Sequence, residues 1–248
     1  EEVKKRIEAE FEAYRKDYKA YYNQCKKDNS PALRDPNPVI LLFPGVGLFS
    51  FAKNKQTARV ASEFYCNAIN VMRGAEAISS YIALPLQEAF DIEYWLLEEA
   101  KLKRMPKEQS LSRKVALVTG AGGGIGKSIA QKLASEGAVV GLLDISETNL
   151  NEALKDFSKD NAIGVVCDIT HTDAIEDAIK KICLAFGGID IVVHSAGLAI
   201  SKALTETTTA DWDLLQDVLV KGQFELFKQA ATIIRVQGMG GNFVTIAS

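Results

Sequence analysis

Histidine is nearly absent. The 248-residue chain has two, His171 and His194, well apart. A catalytic zinc commonly needs three protein ligands, so no metal ligand set is assigned. Cysteine is sparse: Cys25, Cys66, Cys167 and Cys183 lie far apart with no CxxC pair. That usage reads as reduced, buried thiols in a cytoplasmic setting. No apolar run reaches the ~18 residues of a membrane span, and no apolar h-region follows the charged start Glu1, Glu2, Lys4, Lys5 and Arg6. Neither a membrane nor a secretory role is expected. An excess of one charge is also missing, with 29 Lys plus Arg against 32 Asp plus Glu and a net charge of −3. Nothing therefore points to nucleic acid. The 47% hydrophobic and 25% charged content is that of a globular chain and excludes disorder, collagen and simple coiled coil. At ~150 residues per domain, one large domain or two small ones fit.

The composition changes character near residue 105. Before it, Val3, Ile7, Phe11, Tyr14, Tyr18, Tyr21 and Cys25 recur at steps of three and four, one face of a long amphipathic helix over 1–29. A proline-rich loop, Ser30–Pro38, leads to Val39–Phe43, read as a short buried strand. A second helix is expected over Asn54–Met72 with Gly74 just past its end. A third is expected over Ala89–Arg104, acidic at its start and basic at its end, with Glu93, Glu98 and Glu99 on a solvated face. Trp95 and Trp212 are read as packing residues. Residues 105–112 (MPKEQSLS) read as a linker.

From Arg113 onward strands and helices alternate. Strands are expected at Val115–Val118, Val139–Leu143, Ile163–Cys167, Ile191–Val193 and Phe243–Ile246. Helices are expected near 125–136, 147–157, 171–186 and 211–236. Unbroken apolar strands alternating with helices imply a doubly wound parallel sheet, an α/β Rossmann-type fold of about five strands, preceded by a smaller helical α/β segment.

The most informative stretch is Val115–Ala130, VALVTGAGGGIGKSIA. A strand ends at Thr119, glycines follow, and a helix starts near Ile125. A pyrophosphate needs backbone N–H groups at close range. Glycines let the backbone approach, and a helix N-terminus supplies aligned donors. Asp144 stands at the tip of the next strand, where a carboxylate can accept both ribose hydroxyls and repel a 2′-phosphate. The turn offers no Arg or Lys for such a phosphate, so NAD is favoured over NADP. A competing motif is the triphosphate loop GxxxxGK[ST], from which Ala121–Ser128 departs only at Ala121.

These residues resemble the short-chain dehydrogenase/reductase family. Its turn TGxxxGxG is matched by Thr119, Gly120, Gly124, Ile125 and Gly126. Its strand-three tip is matched by Cys167-Asp168-Ile169-Thr170, and its NNAG by His194-Ser195-Ala196-Gly197. Its DVNxxG aligns with Asp217–Gly222, and its GGxIVxISS with Gly240–Ser248. The resemblance covers about 113–248. It implies an NAD-dependent oxidoreductase passing hydride between NAD and a small alcohol or aldehyde, and a homo-oligomer. It places the cofactor on Thr119, Gly120, Gly122, Gly124, Ile125, Gly126, Asp144, Asp168, Ile169, Ser195, Ala196 and Gly197.

Of the family's catalytic Asn, Ser, Tyr and Lys, Ser248 matches the Ser, and Leu219 stands at the Asn position. No YxxxK occurs at a suitable place in this chain. A non-catalytic NAD-binding module is therefore the alternative to an enzyme, and the segment as given is expected to be inactive. Upstream, Pro44–Phe49, Val71–Glu76 and Phe90–Trp95 are similar to the end of the aldolase half of bifunctional aldolase/short-chain dehydrogenases. That implies residues 1–104 from a class II aldolase-like domain, a linker at 105–112, residues 113–248 of a dehydrogenase, a role in rhamnose-type sugar catabolism, and a chain that is an internal segment of a longer protein.

Overall fold

Residues 2–247 are described by a computed structural model, in two units, Glu1–Lys107 and Glu108–Ser248. In the first unit, helix α1 (Glu2–Cys25) is the amphipathic helix its spacing predicts. Its C-terminal half does the packing: Tyr18, Tyr21, Tyr22 and Cys25 lie against Phe90 and Tyr94. The Phe90 and Tyr94 rings stack with centroids 4.5 Å apart, and Tyr22 meets Tyr94 at 5.2 Å. Such pairs add ~0.5–1.5 kcal/mol beyond their burial. Glu93 accepts the hydroxyls of Tyr18 and Tyr21, and the Tyr18 and Tyr94 hydroxyls meet at 2.7 Å. Glu93 is thus the polar hub of an aromatic cluster rather than part of a solvated face. Burial and this carboxylate push the Tyr18 and Tyr21 phenols above their ordinary value.

Several other local expectations are corrected in this unit. The run at 39–43 becomes strand β1 (Ile40–Phe43), which pairs antiparallel with β2 (Gly47–Ser50). A two-stranded hairpin covers little of itself, and Leu42 is 51% exposed instead of buried. Helix α2 (Lys55–Ile78) is capped by Asn54, which accepts the Thr57 N–H at 2.8 Å, and continues through Gly74. A lone glycine costs a helix only ~1 kcal/mol against Ala, too little to end one that its neighbours sustain. The third helix is two, α3 (Leu86–Glu93) and α4 (Leu96–Arg104). They separate where Tyr94 turns its ring into the cluster and Trp95 adopts extended backbone, φ −63 and ψ 128. Trp95 is then 55% exposed and packs no core.

In the second unit, β3 (Val115–Thr119), β4 (Val139–Asp144), β5 (Ala162–Val166), β6 (Ile191–His194) and β7 (Asn242–Thr245) form one parallel sheet in the order β5-β4-β3-β6-β7. Helices α5 (Gly124–Ser135) and α6 (Glu147–Leu154) cover one face, packing Ala130, Leu150 and Ala153 on Ala116, Val118 and Leu142. Helices α7 (Thr172–Phe186) and α9 (Gly222–Gln237) cover the other, packing Ile175, Ile182 and Leu226 on Leu117, Leu143 and Val192. Both faces of β3 are buried along its whole length, which is why its sequence is apolar without alternation. This is the doubly wound α/β sheet expected. The chain steps outward from β3 to β5, then returns to lay β6 on the other side of β3. Strand ends diverge at such a switch point and leave a crevice.

The helix expected near 211–236 is interrupted. α8 (Thr209–Gln216) passes into a π-helical turn, Asp217–Lys221, before α9, and the Gly222 N–H reaches back to the Asp217 carbonyl. Trp212, on α8, is 59% exposed and is not a core residue. The end of the polar stretch read as a linker is anchored: Leu111 packs against the α5 side of the core, its N–H donates to the Glu136 carbonyl at 2.8 Å, and Ser110 donates to the Glu136 carboxylate at 2.7 Å. Among the thiols, Cys25 and Cys167 are buried, Cys183 is half-buried and Cys66 is exposed. Among the described residues no helix is long and apolar enough to cross a membrane.

Leu117 is fully buried at the centre of the sheet, whereas Leu184 is 85% exposed. Leu117→Ala should lower unfolding free energy by about 2–5 kcal/mol in a urea titration, and Leu184→Ala by no more than about 0.5 kcal/mol.

Candidate functional site

A cavity of about 550 Å³ opens at the carboxyl ends of the second unit's strands. Ten of the twelve cofactor candidates line it; Thr119 and Gly122 do not. Those two lie behind its wall and shape it. Thr119 is wholly buried, and its hydroxyl oxygen accepts the N–H groups of Ser195 and Ala196, both at 3.1 Å. The ends of β3 and β6 are thereby laced together. Gly120 follows with φ +64, and a Cβ there would lie 2.8 Å from the Ala196 Cα. A Cβ on Gly126 would lie 2.2 Å from the Gly120 carbonyl oxygen. These glycines are required by close backbone approach, and together they bring the start of α5 to the rim of the crevice.

The N-cap of α5 is Gly123, which supplies no side-chain acceptor. Gly124, Ile125 and Gly126 of its first turn line the cavity. A helix start with uncapped donors and a positive dipole end suits an anionic group. Across the mouth stands Asp144. Its Oδ2 accepts the Gly122 N–H at 2.8 Å and its Oδ1 the Ser146 N–H at 2.9 Å. The carboxylate is held in one orientation by backbone donors, with further lone pairs left for a ligand. Asp168, after β5, accepts the Thr170 N–H at 2.9 Å and the Thr170 hydroxyl at 2.7 Å. Burial works against its charge, yet the Thr170 bonds bring its carboxyl below the ordinary value. The adjacent Cys167 thiol is pushed up to about 11 by burial and by Asp168, so it is no nucleophile.

The chain pattern did not single out Ile145, Asn149, Leu198 and Leu214, which also line the cavity; Thr170 and Val218, within quoted motifs but not named as cofactor residues, line it too. A signal existed for Asn149, which sits one turn into α6 beside Asp144 and at the N3 position of the Ser146 cap. Leu214 and Val218 are four apart on the helix that crosses the crevice, a helical spacing. Among the described residues no Lys or Arg lines the cavity; its charged residues there are Asp144 and Asp168. Leu219 lies in the π-helical turn, with its Cδ2 3.3 Å from where a Cβ on Gly197 would be. Ser248, the catalytic candidate, lies outside the described residues. His194 is 2% exposed, and its Nδ1 is 3.2 Å from the Thr119 hydroxyl. His171 is an exposed N-cap neighbour at the start of α7. Among the described residues no group of three His, Cys, Asp or Glu gathers to hold a metal ion.

Two outcomes follow from this packing. Gly126→Ala forces a methyl onto backbone and should cost about 1–3 kcal/mol in denaturant unfolding. Burial lowers the His194 pKa below its ordinary 6.5. With the folded value depressed, the unfolded chain binds the extra proton, so this contribution is full above pH ~6.5 and is lost as pH falls through the folded value. The unfolding midpoint should therefore drop between pH 7 and pH 5 more steeply for the unaltered chain than for His194→Asn.

Comparison with known proteins agrees with this geometry. Residues 114–248 match the family model for short chain dehydrogenase, and residues 1–102 match that for the second domain of class II aldolase. The uncharacterized oxidoreductase YuxG of Bacillus subtilis is 34% identical over 249 aligned residues, 98% of this chain and 36% of that protein. An uncharacterized oxidoreductase of Staphylococcus aureus strain USA300 is 38% identical over 56% of this chain and 59% of its own length. The chain thus spans about a third of the first relative and under two thirds of the second. Among solved structures, a short-chain dehydrogenase/reductase from Mycobacterium marinum aligns with a TM-score of 0.54 at 33% identity, covering 56% of this chain and 57% of that one. An NAD+-bound xylitol dehydrogenase aligns with a TM-score of 0.54 at 30% identity, covering 56% and 55%. The chain belongs to the short-chain dehydrogenase family of oxidoreductases, joined to an aldolase class II second domain.

Proposed function

We propose that the crevice binds NAD and that the second unit serves an oxidoreductase acting on a small alcohol or aldehyde. The observation that carries the cofactor reading is Asp144, held by two backbone N–H groups at the mouth of a cavity that, among the described residues, no cation lines. A ribose diol donates two hydrogen bonds to such a carboxylate. A 2′-phosphate meets like charge there without a counter-ion. The residues present fit the dinucleotide as a whole. The α5 start with Gly120, Gly124 and Gly126 would take the pyrophosphate, and Asp144 the adenosine ribose. Ile169, Leu214 and Val218 offer apolar surface for a flat base, and Ser195, Ala196 and Gly197 the floor toward the other ribose. The NAD+-bound xylitol dehydrogenase among the structural neighbours supports the same cofactor.

A bound nicotinamide supplies the hydride chemistry. This chain's residues bind and orient, and Ser248 is proposed as the hydroxyl that hydrogen-bonds a substrate oxygen. We take residues 1–104 and 113–248 as the two functional parts, joined through 105–112. The aldolase match upstream supports a bifunctional sugar-catabolic protein whose dehydrogenase takes a sugar-derived hydroxy-aldehyde or polyol. A second reading, an NAD-binding module without turnover, is favoured by Leu219. It packs on Gly197 where the resemblance calls for Asn, and a hydrocarbon there can neither give nor accept a proton.

Calorimetric titration should show NAD binding more tightly than NADP. Asp144→Ala should weaken NAD by about 10- to 100-fold, the range of a hydrogen bond to a charged group, and narrow the preference. Binding of ATP–magnesium in place of NAD would overturn the assignment. NADH formation at 340 nm with small hydroxy-aldehydes and polyols separates the two readings, and the module reading predicts binding without turnover.

A further inference from the structure

A buried imidazole next to the crevice remains unexplained by cofactor contacts. His194 is 2% exposed and Thr119 0%, so no bulk water competes for their polar atoms. Three nitrogens surround the Thr119 hydroxyl oxygen: the backbone N of Ser195 and of Ala196, each at 3.1 Å, and His194 Nδ1 at 3.2 Å. A hydroxyl has two lone pairs and one hydrogen, and a backbone N–H can only donate. The two amides take both lone pairs. The hydroxyl hydrogen therefore has one place to go, His194 Nδ1, which must be the acceptor. That puts the imidazole hydrogen on Nε2, an atom buried without a partner among the described residues. This arrangement leaves one orphan. The other tautomer leaves two, the Nε2 lone pair and the hydroxyl hydrogen, and crowds a third donor onto the oxygen. The imidazolium is worse still, since it has a donor at each nitrogen.

The surroundings hold the ring neutral. His194 follows Val192 by two positions and Thr119 follows Leu117 by two, so both lie on the sheet face covered by α7 and α9. The thiols in that core, Cys167 and Cys183, have pKa values raised by burial. Burial is the cause of the lowered His194 basicity, with no charged neighbour contributing.

We propose that His194 is a positioning residue: as the neutral Nε2–H tautomer it accepts the Thr119 hydroxyl and so aims that oxygen's lone pairs at the Ser195 and Ala196 N–H groups. Without an acceptor at this position the hydroxyl rotates to find another, and one of the two amide bonds is lost. Those amides belong to the crevice floor, and Ala196 is the residue against which Gly120 closes. His194 thus sets the floor's position from behind without touching a ligand.

The direct test is a long-range proton–nitrogen NMR spectrum of the full chain with ¹⁵N-histidine, using His171→Gln to assign the two rings. At pH 7 the His194 signals should be those of the neutral Nε2–H form. A hydrogen on Nδ1, or a cation at pH 7, would overturn the proposal. A second test, which rests on the crevice being the NAD site, compares variants by calorimetry. His194→Leu, with no acceptor, should weaken NAD about tenfold, the effect of one lost hydrogen bond. His194→Asn, with a carbonyl acceptor, should stay within about threefold of the unaltered chain. Equal NAD affinity for His194→Leu and the unaltered chain would sink the positioning role. Failure of the unaltered chain to bind NAD at all would count against the cofactor reading, while the tautomer would still decide the case of His194.

Discussion

The site depends on one buried hydroxyl. Thr119 stands at the end of β3, where the sheet's winding reverses, and its oxygen fastens the backbone just after β6. The parallel ladder between β3 and β6 runs to Val118 and Val193, and the Thr119 hydroxyl carries the tie one step further, onto the backbone beyond β6. With the ends so joined, the next residue must turn sharply against the neighbouring backbone, which only a residue without a Cβ can do at φ +64. Gly126 must then pass the Gly120 carbonyl at a distance no side chain permits. The two glycines and the start of α5 thus sit where the joined ends of β3 and β6 leave no room for a side chain.

Around that tie the polar groups are spent in different ways. Asp144 is oriented from behind by N–H donors and keeps further acceptor capacity. Asp168 also accepts two bonds, both from Thr170 and both on Oδ1, which fixes the turn after β5. The α5 start keeps its donors free, whereas the starts of α6 and α8 are closed by Ser146 and Thr208. The Thr208 cap is doubly closed, since Asp211 returns a bond to the Thr208 N–H and pairs with Lys202, which holds the Asp211 carboxyl down to about 2.

The first unit is organised on different terms. Its described core is small and aromatic, and the cluster of Tyr18, Tyr21, Tyr22, Phe90 and Tyr94 closes around one carboxylate. Aromatic rings supply most of the buried area, and Glu93 satisfies hydroxyls that would otherwise be stranded. Arg34 lies over the Tyr94 ring at 5.2 Å and pairs with Glu99 at 3.6 Å, extending the cluster toward α4.

The order of strands and helices in the second unit was legible in the chain because fully buried parallel strands leave uninterrupted apolar runs, and because glycine spacing at a βα turn is dictated by backbone approach. Asp144 was legible for the same reason: an acidic residue at a strand tip is conspicuous against VVGLL. The break between α3 and α4, the passage of α2 through Gly74 and the π-helical turn at 217–221 were not. In each the local preference is weak, about 1 kcal/mol or less per residue, and packing elsewhere outweighs it. The exposure of Trp95 and Trp212 was likewise invisible, since hydrophobicity states a preference for burial and not whether a neighbour is available. Residue types and spacing by themselves determined the sheet, the glycine turn and the acidic tip. Only the tertiary structure decided that Asn149, Leu214 and Val218 share a cavity with them and that Thr119 and His194 stand behind its wall, because those relations join strands and helices that are distant in sequence and meet only when the sheet is wound.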